Sequence, residues 1–259
     1  MSLISERFAQ LRAQKRCGFV PFIVAGDPDL ATTAALLTSL SELEPAAIEV
    51  GVPFSDPTAD GPVIQRAAQR ALQNGTTLQR VLEMTAQSEA DAPLVLFSYY
   101  NPILQFGLAK FARTAARSRV AGVLTVDLPA EAAAPLHAEL RRYEIDLIFL
   151  VAPTSSDTRL RKTARLASGF IYAVARTGVT GTARELADES QSLVRRIRKV
   201  TDLPVAVGFG ITTGAQAKRV CRYADAAVIG SRLVAEMEQA NVTRSTVVKR
   251  VIRCARQFA

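Results

Sequence analysis

Eight short β-branched or aromatic runs, each followed by a longer stretch with apolar residues three and four apart, predict a (β/α)8 TIM barrel. No Pro/Gly/Ser-rich linker or low-complexity segment divides them, so the expectation is a single domain over residues 1–259. Parallel strands need a crossover connection, and an amphipathic helix supplies one. An open doubly wound sheet has the same periodicity and stands as the alternative architecture.

Taken in order, residues 1–19 place Ile4, Phe8 and Leu11 at helical spacing among charged residues, which predicts an additional N-terminal helix rather than an apolar export signal. Strands are expected at 19–25, 47–51, 94–99, 122–127, 147–152, 170–175, 205–208 and 226–229. Helices are expected at 30–43, 63–72, 110–118, 131–143, 157–167, 190–199 and 213–222. A barrel of this kind carries its chemistry at the C-terminal strand ends, and Asp27, Glu49, residues 99–101 and Asp127 all fall there.

The composition, 49% hydrophobic against 22% charged, excludes a disordered polyelectrolyte, and the length excludes a disulfide-stapled miniprotein. No apolar run reaches the length of a membrane span. A net charge of +8 invites a nucleic-acid reading. The basic stretches 159–165 and 195–199 are interleaved with Leu, Ala and Ile and carry no stacking aromatics, which favours solvated helix faces. Cys17, Cys221 and Cys254 form no C-x-x-C pair, so no disulfide framework or zinc site is expected, and the expected compartment is the reducing cytoplasm. His137 is the sole histidine and is placed mid-helix as a solvated side chain, which removes histidine-based metal sites and a Ser-His-Asp triad.

The densest chemical signal runs from Ile48 to Pro62. Alternation turns Ile48 and Val50 to one face and Glu49 to the other, so Glu49 is expected to point into the barrel near its upper rim. Burial there raises a carboxylic acid toward neutrality, which suits a group that both donates and accepts a proton. The prolines and glycines of 51–62 make a shaped loop bearing Ser55, Asp56 and Asp60. Asp56 reads as an Asx turn or a cap, whereas Asp60 fits a helix cap and a substrate contact equally. Tyr99 and Tyr172 fit either core packing with a bonded hydroxyl or a pocket wall with a polar tip. Glycine turns at 178–182, 208–210 and 230–231 follow three consecutive strands, and backbone N–H groups in such turns can approach a phosphate. Together they predict a phosphorylated small-molecule substrate.

These residues resemble the α subunit family of tryptophan synthase along nearly the whole chain. The most specific stretch is Glu49-Val50-Gly51-Val52-Pro53-Phe54-Ser55-Asp56-Pro57 continuing to Ala59-Asp60-Gly61-Pro62. Supporting it are Ala25-Gly26-Asp27-Pro28, Tyr99-Tyr100-Asn101-Pro102, Asp127-Leu128-Pro129, Ala152-Pro153-Thr154 and Gly178-Val179-Thr180-Gly181. The resemblance implies retro-aldol cleavage of indole-3-glycerol phosphate to indole and glyceraldehyde 3-phosphate. It further implies a β subunit partner in an αββα complex that receives the indole, with pyridoxal phosphate on that partner and no cofactor on this chain. Position by position, it makes Glu49 the general acid/base and Asp60 the carboxylate on the indole N–H. Phe22, Tyr99, Tyr172 and Thr180 become substrate contacts, and Gly181, Phe209, Gly210, Gly230 and Ser231 hold the phosphate. A free-standing lyase and a catalytically idle regulatory subunit are the alternatives.

Overall fold

Eight parallel strands close on themselves in chain order in the computed structural model, which describes residues 1–174, 183–208, 210–238 and 243–259, the side chains of 183–188 excepted. The strands are β1 (Gly18–Val24), β2 (Ile48–Gly51), β3 (Leu94–Ser98), β4 (Val120–Thr125), β5 (Asp146–Val151), β6 (Ile171–Val174), β7 (Val205–Gly208) and β8 (Ala226–Ile229). Pairing of β1 with β8, from Gly18 opposite Ala226 to Pro21 opposite Ile229, shuts the barrel and rules out the open sheet. Every expected strand forms, with ends shifted by no more than a few residues.

Two layers of apolar packing follow from the period-two alternation of strand side chains. On β1, Phe19 and Ile23 face the helices, while Val20, Phe22 and Val24 face the barrel axis. Val95, Phe97, Leu124, Ile148, Phe170, Tyr172 and Val228 join that interior cluster from the other strands. The N-terminal helix α1 (Leu3–Ala13) buries Ile4, Phe8 and Leu11 against the same interior. Phe8 packs on Phe170 with ring centroids 5.7 Å apart, and Ser2 donates to the Asp146 carboxylate at 2.5 Å. These contacts lie at the beginnings of strands. α1 therefore stoppers the bottom of the barrel and leaves the opposite end for chemistry.

The remaining helices are α2 (Leu30–Ser41), α3 (Pro62–Gln73), α4 (Leu78–Ala86), α5 (Tyr100–Phe106), α6 (Leu108–Arg117), α7 (Ala134–Arg141), α8 (Asp157–Leu166), α9 (Ala183–Ile197), α10 (Gly214–Val220), α11 (Ser231–Ala235) and α12 (Arg244–Ala255). Four of them, α4, α5, α11 and α12, go beyond the expected set: the β2–β3 and β3–β4 connections each carry two helices rather than one, and two more follow β8. The third strand stops before Tyr99, and α5 takes over: the Tyr100 N–H donates to the Asp127 carboxylate at 2.7 Å, satisfying a first-turn donor. α7 begins later than expected, with Pro135 in its first turn. Among the described residues, no helix is long and apolar enough to cross a membrane.

Two side-chain expectations need correction. Cys17 and Cys221 form a disulfide, leaving Cys254 free and buried. Cys17 precedes β1 and Cys221 ends α10, just before β8, so the β1–β8 pairing that closes the barrel brings together residues 204 apart in sequence. Short-range cysteine spacing carries no trace of that. His137 is half-buried rather than solvated, and burial together with nearby Arg141 holds its pKa below the usual histidine value.

Candidate active site

Glu49 sits mid-strand on β2, paired in register with Phe22 of β1 and Val95 of β3. Its neighbours Ile48 and Val50 pack in the helix-facing layer, so its carboxyl points inward as alternation requires. It is 1% exposed, and its Oε1 has no hydrogen-bond partner among the described residues. Removal from water without a compensating charge pushes its pKa up to about 8. At neutral pH the group is mostly a neutral acid.

That carboxyl opens onto a cavity of about 390 Å³ at the C-terminal end of the barrel, within the size range of small-molecule sites. Phe22, Phe97, Ile64 and Val228 supply apolar wall, Asp60 and Tyr172 add polar groups, and Gly210, Gly230 and Ser231 stand on another side. Phe22 and Phe97 meet edge to face, with centroids 5.1 Å apart. Close approach of the aromatics depends on glycine. A Cβ on residue 51 would lie 2.7 Å from the Phe22 ring, and one on residue 208 would lie 2.1 Å from the Tyr172 hydroxyl. Tyr172 is buried, and desolvation with the nearby Glu49 keeps its phenol protonated well above the ordinary range.

Asp60 enters α3 but does not cap it. The N-cap is Gly61, which makes no side-chain bond, and Asp60 Oδ2 instead accepts the Tyr99 hydroxyl at 3.1 Å. Tyr99 also accepts the Ala59 N–H at 2.9 Å and stacks on Phe54, with centroids 4.9 Å apart. Its own pKa is pushed up to about 12, chiefly by burial, so it remains a donor. Tyr99 therefore stands behind Asp60, fixing the carboxyl's orientation, and lines a smaller adjoining recess rather than the main cavity. Burial raises the Asp60 carboxyl while the tyrosine bond opposes the rise. Asp56 is exposed and its side chain accepts the Ser55 hydroxyl at 2.6 Å, while its main-chain oxygen accepts the Thr58 N–H; it lies in a turn, but one closed by the backbone rather than the Asx turn or cap expected of its side chain.

Gly210 leads through Ile211 and Thr212 into α10, whose start is fixed by a reciprocal capping box between Thr213 and Gln216. The Gln216 side chain also accepts the Thr212 and Thr213 N–H groups at 2.8 and 3.0 Å, setting the course of this cavity edge. Thr180, Gly181 and Phe209 lie outside the described residues, as does residues 178–182 as a whole.

Glu49, Asp60, Phe22, Tyr172, Gly210, Gly230 and Ser231 thus come together around one space, with Tyr99 one layer back. Sequence reasoning missed Phe97, Ile64, Val228 and Arg232 on the lining. Phe97 could have been found from inward alternation on β3. Arg232 directly follows Gly230-Ser231, and its guanidinium pairs with Glu236 at 2.6 Å.

A family model described as tryptophan synthase alpha chain matches residues 8–259. A tryptophan synthase alpha chain from Caulobacter sp. (strain K31) is 48% identical over 259 residues, covering 99% of this chain and 94% of that one. One from Gluconacetobacter diazotrophicus is 51% identical over 241 residues, covering 92% and 88%. Among solved structures, tryptophan synthase subunit alpha from Legionella pneumophila str. Paris superposes with a TM-score of 0.90 at 31% identity, covering 100% of this chain and 97% of that chain. A chain of M. tuberculosis tryptophan synthase in an aminoacrylate-bound form gives 0.88 at 33% identity, covering 100% and 98%.

Proposed function

Because the chain belongs to the tryptophan synthase alpha chain family, whose activity is cleavage of indole-3-glycerol phosphate to indole and glyceraldehyde 3-phosphate, we propose that Glu49 and Asp60 perform that lyase reaction in the cavity described above. The observation that carries the assignment is the buried Glu49 carboxyl, its Oε1 without a hydrogen-bond partner among the described residues, facing the same space as Asp60. Residues 1–259 are taken as one barrel domain.

The chemistry needs a proton at indole C3, loss of a proton from the adjacent glycerol hydroxyl, and stabilisation of the cationic indolenine between the two. Glu49 begins neutral and donates its proton to C3. The resulting positive charge spreads to the ring N–H, where Asp60 accepts a hydrogen bond and opposes the charge. As the carboxylate, Glu49 then takes the hydroxyl proton; the carbon–carbon bond breaks, its electron pair returns to the ring, and the hydroxyl carbon becomes the aldehyde. The acid ends as it started. Proton transfer of this kind contributes about a hundred- to ten-thousandfold in rate.

Phe22 and Tyr172 would hold the indole and the reacting side chain, with Tyr99 acting through Asp60. Thr180 would be a further substrate contact, while Gly210, Gly230 and Ser231 would present main-chain N–H groups to the phosphate, joined by Gly181 and Phe209, and Arg232 would add positive charge at the same wall. Binding energy from a phosphate remote from the breaking bond positions the reactive carbon.

The partner assigned is a β subunit, arranged as αββα, that receives the indole and carries pyridoxal phosphate. The chemistry given to Glu49 and Asp60 asks for no cofactor here. A cytoplasmic setting is proposed, where glutathione would act on the Cys17–Cys221 bond. The deciding experiment is indole release from indole-3-glycerol phosphate with and without a β subunit. Activity that rises on adding the partner supports the reading; full activity alone would favour a free-standing lyase, and none in either case an idle regulatory chain.

A further inference from the structure

We propose that the ion pair between Asp27 and Arg70 is a positioning device for Asp60, holding the bearing of the helix that Asp60 enters. The inference rests on the reading of Asp60 as a substrate contact and asks what keeps it in place.

α3 has little apolar anchorage beyond its first turn. Val63 and Ile64 pack there, partly buried, against the barrel interior, but past them the buried residues are Ala67, Ala68 and Ala71, and three methyl groups specify neither the roll nor the slide of that part of the helix. Its first turn has no side-chain cap. Directional contacts come instead from Arg66 and Arg70, one turn apart on one face. Arg70 Nε and Nη2 donate at 2.8 Å each to the two oxygens of Asp27, a fork that fixes distance and plane together. Asp27 is 0% exposed in the turn that follows β1, so one side of the pair is buried at the rim of the barrel. Glu238, just past α11, braces the arrangement by pairing with Arg66 and approaching Arg70 Nη1 at 3.6 Å. At the other end of α3, Asp60, Gly61 and Ile64 line the cavity.

A rigid helix transmits a shift at Arg70 to its first turn. Tyr99 sets the rotation of the Asp60 carboxyl, whereas Arg70 sets where the helix carrying it stands. Misplacement of a contacting group by about 1 Å can cost a hundredfold in rate, so loosening the fork should appear in kcat. The phosphate end is held by other elements and should keep its affinity.

The test is a cycle of Arg70→Lys, Asp60→Asn and the double variant, assayed for indole release with the β subunit present. Lysine keeps the charge and loses the fork. Arg70→Lys is expected to lower kcat about tenfold, with KM and inorganic phosphate affinity close to wild type. In the Asp60→Asn background the same change should cost no further rate, because its effect passes through Asp60. Should Arg70→Lys fail to fold, Asp27→Glu, which displaces the carboxylate by one methylene, carries the same prediction. An unchanged kcat in a folded variant, or an equal loss in both backgrounds, would overturn the inference. Full activity in Asp60→Asn alone would instead sink the reading of Asp60, and this inference with it.

Discussion

Asp27, in the turn after β1, and Glu49, on the neighbouring strand β2, are 0% and 1% exposed and meet the cost of burial in opposite ways. Asp27 faces a guanidinium that donates to both its oxygens; burial raises its pKa, and Arg70 opposes the rise. Among the described residues Glu49 has no such counter-charge and its Oε1 no partner, and it avoids the cost by holding a proton up to about pH 8. Pairing ties a carboxylate to the scaffold, whereas the unpaired acid keeps its proton available for transfer. Buried carboxyls that look alike in sequence are told apart by what lies opposite them.

The sharpest test of that contrast is turnover. Glu49→Gln should lower indole release about a hundred- to ten-thousandfold, because glutamine preserves shape and cannot exchange a proton. Asp60→Asn should cost about a hundredfold or more while inorganic phosphate still binds at wild-type affinity, separating charge stabilisation from substrate anchoring.

Stability should then change with opposite sign at the two acids. Asp27→Asn removes the buried charge partner of Arg70, leaving only Glu238 at 3.6 Å, and should destabilise by about 2 kcal/mol in denaturant titration, less than for a fully buried pair because Arg70 is 30% exposed. Glu49→Gln should stabilise. The unfolded acid ionises near the ordinary glutamate value of 4.5 and the folded one near 8, so the contribution of Glu49 is full below about pH 4.5 and lost as pH rises through 8. The advantage of the glutamine variant should therefore grow across that window, by up to about 5 kcal/mol at about 1.4 kcal/mol per pH unit.

The smallest effect concerns pH. Wild-type indole release should decline as pH passes about 8, where Glu49 loses the proton it must donate, and Asp27→Asn should lower the profile without moving that limb.

Much of the scaffold was legible because each strand announces itself by β-branched content and by the inward and outward alternation that also turns Glu49 to the axis. The unit count hid α4 and α12, since counting one helix per strand leaves no place for a second. Asp60 was ambiguous for a different reason: its partner Tyr99 lies 39 residues away, and only the fold brings the hydroxyl to the carboxylate. The Asp27–Arg70 fork spans 43 residues and the disulfide 204, so neither has a local pattern to read. The glycine turns suggested a phosphate corner, of which Gly210, Gly230 and Ser231 do line the cavity; Thr180, Gly181 and Phe209 fall outside the described residues.

Glu49 must be a neutral acid when substrate arrives if it is to protonate the indole ring. Carbon-13 labelling of glutamate carboxyls, with the Glu49 resonance assigned by its loss in Glu49→Gln, would follow this group through pH. Titration near pH 8 is the result predicted here. A carboxyl already ionised at pH 6, with its midpoint near the ordinary glutamate value, would contradict it.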